Sequence, residues 1–281
     1  MSPAPGSKLG LVAGGGALPV ALAQRCVAAG RPLFVVRLEG FADPELFAFD
    51  GDEAGVVALG RVFGLLRQAG CEAVCLAGRV DRPDFSTLKP DARGLEALPG
   101  LVAAARQGDD ALLRFLVGEF VAEGFAVEGA HEVDAGLTLP AGPLGAVSPG
   151  PAHAADVAAA LATARAVGRL DIGQAAVVVD GLVLAVEAQE GTAAMLSRCA
   201  GLPAALRGAP GARKGVVAKA PKPIQERRVD LPVIGPDTVE AAAAAGLAGI
   251  AGEAGAVLVI DRPRTIALAD RLGLFVVGVV P

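Results

Sequence analysis

The chain has 281 residues, of which 53% are hydrophobic, and it contains neither Trp nor Tyr. Its formal net charge of −5 argues against a nucleic-acid-binding protein, which normally presents a basic face. The length suits two domains, since domains usually run to about 100–200 residues. No stretch of 18 strongly apolar residues occurs, so the sequence predicts no transmembrane helix.

The first half alternates strand-like and helix-like segments, and the glycines after several helices mark their ends. Alternation of this kind implies a parallel sheet covered by helices. We therefore predict an N-terminal parallel-sheet domain over residues 1–138. Its predicted strands are 8–13, 32–37, 72–77 and a short one near 126–130, and its predicted helices are 17–29, 61–69, 99–106 and 109–123.

Residues 136–153 contain four prolines and almost no charge, which is typical of a linker. We place the linker at 139–153 and a mixed α/β domain at 154–281. In that domain a helix at 154–168 is followed by a hairpin around Asp180-Gly181, because two β-branched runs flank this turn dipeptide. Further strands are predicted at 215–221 and 228–234, a helix at 238–246, and a final strand, helix and strand at 256–280.

The cysteines, histidines and N-terminal residues restrict the chemistry and the compartment. None of the four cysteines forms a C-x-x-C pair, so we interpret them as buried free thiols in a reducing compartment. Two histidines are too few for a multi-histidine metal site. The N-terminus imitates a secretion signal, but three glycines and Pro19 interrupt its apolar helix. We therefore expect a cytoplasmic protein.

Three glycines, Gly14, Gly15 and Gly16, lie between the first predicted strand and helix. Glycines at such a turn let the backbone approach a phosphate, and the helix N-terminus offers free N–H groups. We predict contact with a phosphate or sugar, and a purely structural turn is the alternative. The dinucleotide fingerprint G-x-G-x-x-G is absent, so a dinucleotide role has little support.

Other candidate substrate-binding residues lie where predicted strands or loops end. Arg79 follows a buried strand, and ligands of open α/β sheets bind at that edge. Asp109 and Asp110 open a helix, where carboxylates either cap the helix or face a cationic or metal-bound substrate. Glu190 and Thr192 join the hairpin to the next helix, and Thr192 is also a candidate N-cap.

The segment from Lys219 to Pro232 is the densest charged region of a charge-poor chain. Strand alternation would place Arg228 and Asp230 on one face. Cations beside a carboxylate favour its ionised form. Such cations neutralise phosphate oxygens, while the carboxylate holds a hard metal or orients water. The alternative is a surface salt-bridge cluster. The candidate residues here are Lys219, Lys222, Gln225, Arg228 and Asp230.

Seven segments, in order along both predicted domains, resemble the UDP-2,3-diacylglucosamine pyrophosphatases of the LpxI type, which act in lipid A biosynthesis. They are GLVAGGGALP (10–19), GRVDRPDFS (78–86), EGAHEV (128–133), DIGQAAVV (171–178), AVEAQEGTAAML (185–196), AKAPKPIQERRVDLPVIG (218–235) and GLAGI (246–250).

The resemblance implies a Rossmann-like N-terminal domain, a distinctive C-terminal domain, and a cleft between them that holds the lipid product. It implies hydrolysis to UMP and 2,3-diacylglucosamine 1-phosphate (lipid X) with Mg²⁺ or another divalent cation such as Mn²⁺. Asp230 of the R-x-D-L-P motif would be catalytic and a metal ligand. Many members read Asp at Glu226, for which we expect only a supporting role.

Three further expectations concern partners and alternatives. The lipid-linked substrate implies transient contact with the inner membrane, and an Ala/Val/Leu-rich chain can line an apolar groove for acyl chains. No nucleic acid partner is expected, and the oligomeric state, including a homodimer, is left open. A non-catalytic lipid or sugar-nucleotide binding protein is the main alternative, and the glycine turn alone suggests a nucleotide-dependent oxidoreductase.

Overall fold

A computed structural model describes residues 6–80, 89–223 and 226–281. These residues form two compact units. Unit 1 combines the described part of the chain up to Gly136 with Glu226–Asp230, and unit 2 combines the described residues from Leu137 to Pro223 with Leu231–Pro281. The short piece Glu226–Asp230 therefore belongs to the unit built by the first half of the chain.

Unit 1 is built on a parallel sheet with β1 at its centre. β1 pairs with β2 on one side and β4 on the other, and β3 and β5 lie at the two edges in the order β3-β2-β1-β4-β5. This topology confirms the predicted parallel sheet with a Rossmann-like arrangement. The strands in the described residues are β1 (Leu9–Ala13), β2 (Leu33–Leu38), β3 (Gly51–Ala54), β4 (Ala73–Ala77) and β5 (Ala126–Val127).

Three helices of unit 1, those that hold Phe63, Ala97 and Phe120, pack around an aromatic core, in which the Phe63 and Phe120 rings meet edge to face at 5.1 Å. Val229 packs against this same core although it lies more than a hundred residues later in sequence than any of its buried members. The described helices are α1 (Ala17–Ala28), α2 (Leu59–Gln68), α3 (Ala92–Ala105), α4 (Asp109–Ala122) and α5 (Ala130–Val133), with 3-10 turns at Pro44–Ala48 and Ala135–Leu137.

The helix predicted at 99–106 begins seven residues earlier, at Ala92. Asp91 caps it by accepting a hydrogen bond from the Gly94 N–H group, so Pro99 lies in the helix interior. Because proline is usually found in the first turn, the sequence alone favoured a start at Pro99.

Unit 2 contains a six-stranded mixed sheet in the order β6-β15-β13-β11-β7-β8, among the described residues. The hairpin around Asp180-Gly181 is confirmed, and both turn residues have positive φ, as a tight two-residue turn requires. The sheet strands are β6 (Gly142–Pro143), β7 (Ala175–Val179), β8 (Leu182–Val186), β11 (Val216–Lys219), β13 (Gly249–Glu253) and β15 (Phe275–Val279). Two small pairs are β9 (Gly208–Ala209) with β10 (Ala212–Arg213), and β12 (Val233–Ile234) with β14 (Leu258–Val259).

Both faces of this sheet are buried, because alternate residues of β7 and β11 enter two different apolar clusters. Val177 and Val217 face one cluster, and Val178 and Val216 face the other. The helices that cover them are α6 (Ala154–Arg169), α7 (Gly191–Ala200), α9 (Pro236–Ala244) and α10 (Arg262–Leu272). Unit 2 also has the short helix α8 (Ala204–Arg207), which has no buried residue, and a 3-10 turn at Pro151–His153.

The proposed linker 139–153 contains β6, which pairs antiparallel with β15 in unit 2, and its exact limits stay a prediction. In the part of the chain that the structure describes, none of the helices has the length and apolarity needed to cross a bilayer.

Candidate active site

The glycine turn after β1 brings two strand ends into close contact. The Gly14 N–H group donates to the Ala77 carbonyl at 2.9 Å, and Gly15 and Arg79 exchange two backbone hydrogen bonds of 2.9 and 2.8 Å. A Cβ atom on Gly14 would lie 2.6 Å from the Arg79 carbonyl oxygen. Glycine is therefore required here for the approach of the chain to itself, and the Arg79 side chain is exposed beside it.

Gly16 begins α1 with φ of +95°, and its N–H group donates to a carboxylate oxygen of Asp43 at 2.5 Å. The N–H groups of Gly14, Gly15 and Gly16 thus all donate to acceptors within unit 1. A phosphate at Gly16 would compete with the Asp43 carboxylate for the same donor and for the positive end of the helix dipole. Substrate contact by these glycines stays a prediction.

The residues from Glu226 to Asp230 form a turn, so the predicted strand at 228–234 is wrong except for β12 at its end. The N–H groups of Val229 and Asp230 both donate to the Glu226 carbonyl, at 3.1 and 3.2 Å. Val229 is held by the core of unit 1 rather than by a neighbouring strand. The supposed shared strand face of Arg228 and Asp230 therefore does not exist.

The ion pair within this turn joins Glu226 to Arg228. The Arg228 guanidinium donates to both carboxylate oxygens of Glu226 at 2.9 and 2.8 Å, and the Arg228 N–H group donates to one of them at 3.2 Å. The hydrogen bonds from Arg228 lower the pKa of Glu226, and the same interaction raises the pKa of Arg228. Glu226 thus neutralises the arginine that was predicted to bind substrate.

Of the two adjacent carboxylates Asp109 and Asp110, Asp110 is the one that reaches this turn. Its side chain is buried, and one oxygen accepts a 2.7 Å hydrogen bond from the Glu226 N–H group. The other oxygen forms an ion pair with Arg114, one helical turn later. Asp109 is exposed in the first turn of α4, and its predicted substrate contact is untested.

Gly129 and His131 lie against the same turn. A Cβ atom on Gly129 would lie 3.1 Å from the Arg228 Cα atom and 2.5 Å from the Cε1 atom of His131. The Nδ1 atom of His131 is buried and has no hydrogen-bond partner among the described residues. The EGAHEV segment therefore packs closely on the turn that ends at Asp230.

In unit 2, a second group of polar residues lies at the end of β11, just before β7 and just after β8. Buried Glu187 accepts a 2.7 Å hydrogen bond from the Thr192 hydroxyl and a 3.1 Å bond from the Gln174 N–H group. Thr192 is not the N-cap of α7, because the helix is preceded by Glu190. Glu190 pairs with Arg198 at the surface, and its own backbone N–H group and then Arg198 lower its pKa.

Two lysines of this group are almost completely buried. Lys219, the last residue of β11, is 5% exposed and donates to the Val233 carbonyl at 2.8 Å. Lys222 is 9% exposed and forms a 2.6 Å ion pair with Asp171. Buried ammonium groups are costly unless they are paired, so each lysine has a defined position.

The remaining predicted residues are Gln225 and Asp230. Gln225 lies outside the described residues, as do residues 81–88 of the loop after β4. Asp230 is half-buried at the end of the turn, as part of unit 1. Unit 1 therefore holds Asp230, Arg228, Asp109, Arg79 and the glycine turn, whereas unit 2 holds Lys219, Lys222, Glu190 and Thr192.

The carboxylates around Asp230 limit the kind of metal site that the chain can offer. Both oxygens of Glu226 are bound by Arg228, and those of Asp110 by the Glu226 N–H group and Arg114. Among the described residues, no group of three or more His, Cys, Asp or Glu side chains could hold a metal ion. The donors fit a hard cation only if Asp230 shares it with oxygens from a substrate and water, as Mg²⁺ sites commonly do.

Each half of the chain matches a domain of a known protein family. Residues 8–137 match the LpxI N-terminal domain, and residues 140–277 match the LpxI C-terminal domain. The chain belongs to the LpxI family. A protein of Caulobacter vibrioides (strain ATCC 19089 / CIP 103742 / CB 15) named UDP-2,3-diacylglucosamine pyrophosphatase LpxI is 63% identical over 274 residues, which is 98% of each chain. The family resemblance predicted from seven motifs is thereby confirmed.

The two LpxI family domains do not coincide fully with the two units of the fold. The LpxI C-terminal match runs through residues 226–230, although these five residues group with unit 1 in three dimensions. The R-x-D-L-P motif of this LpxI chain is therefore divided: Arg228 to Asp230 belong to unit 1, and Leu231 and Pro232 belong to unit 2.

Proposed function

We propose that this protein hydrolyses the pyrophosphate bond of UDP-2,3-diacylglucosamine, which yields UMP and 2,3-diacylglucosamine 1-phosphate for lipid A biosynthesis. The observation that carries the proposal is the 63% identity, over 98% of both chains, to a protein that bears this activity in its name. In the reaction, the oxygen of water bonds to one phosphorus as that atom loses the bridging oxygen. The bridging oxygen leaves with the other phosphate.

Asp230 is the proposed catalytic residue. A carboxylate at this place would orient the attacking water, accept its proton, or hold a cation beside the phosphates. The turn that carries Asp230 is fixed to unit 1 by Val229 in the core and by the hydrogen bond from the Glu226 N–H group to Asp110. A fixed backbone supports this role, because catalytic groups act only when held close to the productive geometry.

The other predicted residues are proposed to bind the substrate. Arg228, Lys219 and Lys222 are cations, and phosphate oxygens are their natural partners. The three cations already have carboxylate or carbonyl partners, which would fix their positions before the substrate arrives. Gly14, Gly15, Gly16, Arg79, Asp109, Glu190, Thr192 and Gln225 remain proposed contacts of the same substrate.

We further propose that Mg²⁺, or Mn²⁺ in its place, is held by Asp230 together with oxygens of the substrate. When bound, such a cation neutralises phosphate charge and activates water. Calorimetric titration of Mn²⁺ into the protein, with and without the UMP product, tests this directly. Binding by the wild type that is lost in the Asp230→Asn variant supports the assignment, and equal binding by both would refute it.

The substrate carries two acyl chains, which suggests where the protein works. We propose that it is a cytoplasmic protein that makes transient contact with the inner-membrane surface. Co-sedimentation with phospholipid vesicles, with and without the lipid substrate, would measure this contact. Sedimentation equilibrium of the pure protein would test whether it forms a homodimer.

The decisive experiment compares Asp230→Asn with Asp50→Asn. Asp50 is exposed and immediately precedes β3, at the amino-terminal edge of the parallel sheet, so it provides a matched loss of one carboxylate charge. Release of UMP is followed by phosphorus NMR in the presence of Mg²⁺. We expect loss of turnover in Asp230→Asn alone. Tight substrate binding by the wild type without turnover would instead indicate a non-catalytic binding protein.

A further inference from the structure

Asp110 makes two polar interactions that together define its orientation. It lies in the first turn of α4 with 2% of its surface exposed. One carboxylate oxygen accepts the Glu226 N–H group at 2.7 Å, and the other pairs with Arg114. The positive end of the helix dipole also stabilises the carboxylate at this position. The side chain therefore presents a fixed, charged acceptor to a backbone 116 residues away.

The hydrogen bond from Glu226 holds the beginning of the turn that ends at Asp230. The Glu226 carbonyl accepts the N–H groups of both Val229 and Asp230. A displacement of the Glu226 backbone would therefore move the Asp230 backbone through this hydrogen bond. The path from Asp110 to Asp230 has two links, the 2.7 Å bond to Glu226 and the 3.2 Å bond from Asp230.

Two other contacts of the turn are of a different kind. The Glu226–Arg228 ion pair lies within the turn, so it stiffens the turn without attaching it to the rest of unit 1. The contact of Val229 with the core is apolar, and apolar contacts are non-directional. The Asp110 carboxylate adds a charge-assisted hydrogen bond, which is short and strongly oriented.

We infer that Asp110 is a positioning residue for Asp230 and acts through the Glu226 backbone. The inference rests on the proposed function and deepens it, because it assigns a role in the reaction to a residue that acts through the backbone of another residue. In this arrangement the Glu226 side chain pairs with Arg228 inside the turn, while the Glu226 N–H group bonds to Asp110 outside it.

The test compares three substitutions that separate the hydrogen bond accepted by Asp110 from its ion pair with Arg114. Asp110→Ala removes both, Asp110→Asn keeps an oxygen acceptor for the Glu226 N–H group, and Arg114→Ala removes the ion pair while it leaves the Asp110 acceptor in place. We expect kcat for UMP release to fall about tenfold to a hundredfold in Asp110→Ala, because small misplacements of catalytic groups have effects of this size. KM should change little, and Asp110→Asn and Arg114→Ala should keep most of the wild-type kcat.

A second measurement does not depend on activity. Hydrogen–deuterium exchange of peptides covering residues 226–230 should become faster in Asp110→Ala and stay near the wild-type rate in Arg114→Ala. Asp110→Leu, which keeps the volume without an oxygen, replaces the Ala variant if the latter does not fold. Thermal melts identify folded variants, so that kcat is compared per folded molecule.

The outcomes separate this inference from the proposed function. Wild-type kcat in a folded Asp110→Ala or Asp110→Leu variant, or unchanged exchange over residues 226–230, would overturn the positioning role. A fall of kcat in Asp110→Asn as large as in Asp110→Ala would also overturn the assigned acceptor. An inactive wild type would defeat the proposed function, and the exchange rates would still decide whether Asp110 fixes the turn.

Discussion

The Thr192 hydroxyl donates a 2.7 Å hydrogen bond to the buried carboxylate of Glu187, which also accepts the Gln174 N–H group through its other oxygen. The pair joins the end of the β7–β8 hairpin to the first turn of α7. This relationship gives Thr192 a structural role next to its proposed contact with substrate. The two roles have different experimental signatures.

Thr192→Val should destabilise the protein by about 1–3 kcal/mol, because it leaves a buried carboxylate with one hydrogen bond fewer. Thr192→Ser should recover most of that loss. The matched control is Thr163→Val, since the Thr163 hydroxyl donates to the Ala159 carbonyl within α6. Urea unfolding followed by circular dichroism measures the difference. Equal effects of the two valine substitutions would contradict the role assigned to the Glu187 hydrogen bond.

The Glu226–Arg228 ion pair predicts a pH dependence of stability. Arg228 lowers the pKa of Glu226 from its ordinary value of 4.5, so the folded state favours the ionised carboxylate. This stabilisation is complete above pH 4.5 and is lost as the pH falls through the lower folded-state pKa. The difference in unfolding free energy between wild type and Glu226→Gln should therefore be constant near neutral pH and shrink below about pH 4.5. Urea titrations at a series of pH values test this, and a difference that grows on acidification would contradict it.

Gly129→Ala should displace the turn that carries Asp230. The added Cβ atom would lie 2.5 Å from the His131 ring, which must move, and 3.1 Å from the Arg228 Cα atom, which must shift by a few tenths of an ångström. We expect reduced UMP release together with a loss of about 1–3 kcal/mol in stability, as overpacking usually causes.

The control for Gly129→Ala is Gly118→Ala in the interior of α4. A Cβ atom at Gly118 has nothing within 4 Å, and alanine favours the helix, so this variant should gain about 0.5–1 kcal/mol and keep full activity. Activity assays and urea unfolding of both variants complete the comparison. Full activity in Gly129→Ala would show that the turn tolerates the shift.

The four cysteines should react slowly in the native protein. All four are free and buried, burial raises the pKa of Cys71 to about 11, and it also raises the pKa of Cys75. Because the thiolate is the reactive form, native protein should consume the disulfide reagent DTNB far more slowly than protein unfolded in guanidinium. Rapid reaction of several thiols in the native state would contradict the buried assignment.

Much of unit 1 could be predicted from the sequence because its signals are local. The predicted strand 8–13 and helix 17–29 agree with Leu9–Ala13 and Ala17–Ala28 within one residue. Such elements can be predicted from a continuous apolar run, a glycine turn and a glycine at the end of the helix. The hairpin at Asp180-Gly181 was predictable for the same reason.

The turn at residues 226–230 could not be predicted because its determinants are distant. The alternation Arg228-Val229-Asp230 is the pattern of a half-buried strand, and it arises here because Val229 enters the core of unit 1. Nothing in the local sequence shows that the Glu226 N–H group finds Asp110. For the same reason, the local sequence does not show that Asp110, and not Asp109, contacts this turn. The four-residue spacing of Asp110 and Arg114 was nevertheless a helical signal that favoured Asp110.

The assignment of Glu226–Asp230 to unit 1 has a practical consequence for dissecting the protein. Expression of residues 1–136 alone would omit Val229 from the aromatic core and leave the buried Asp110 oxygen without the Glu226 N–H group. Such a fragment would carry a gap that a short synthetic peptide could fill. A cut at the boundary between the two family domains therefore separates the five-residue segment from the core and the carboxylate that it contacts.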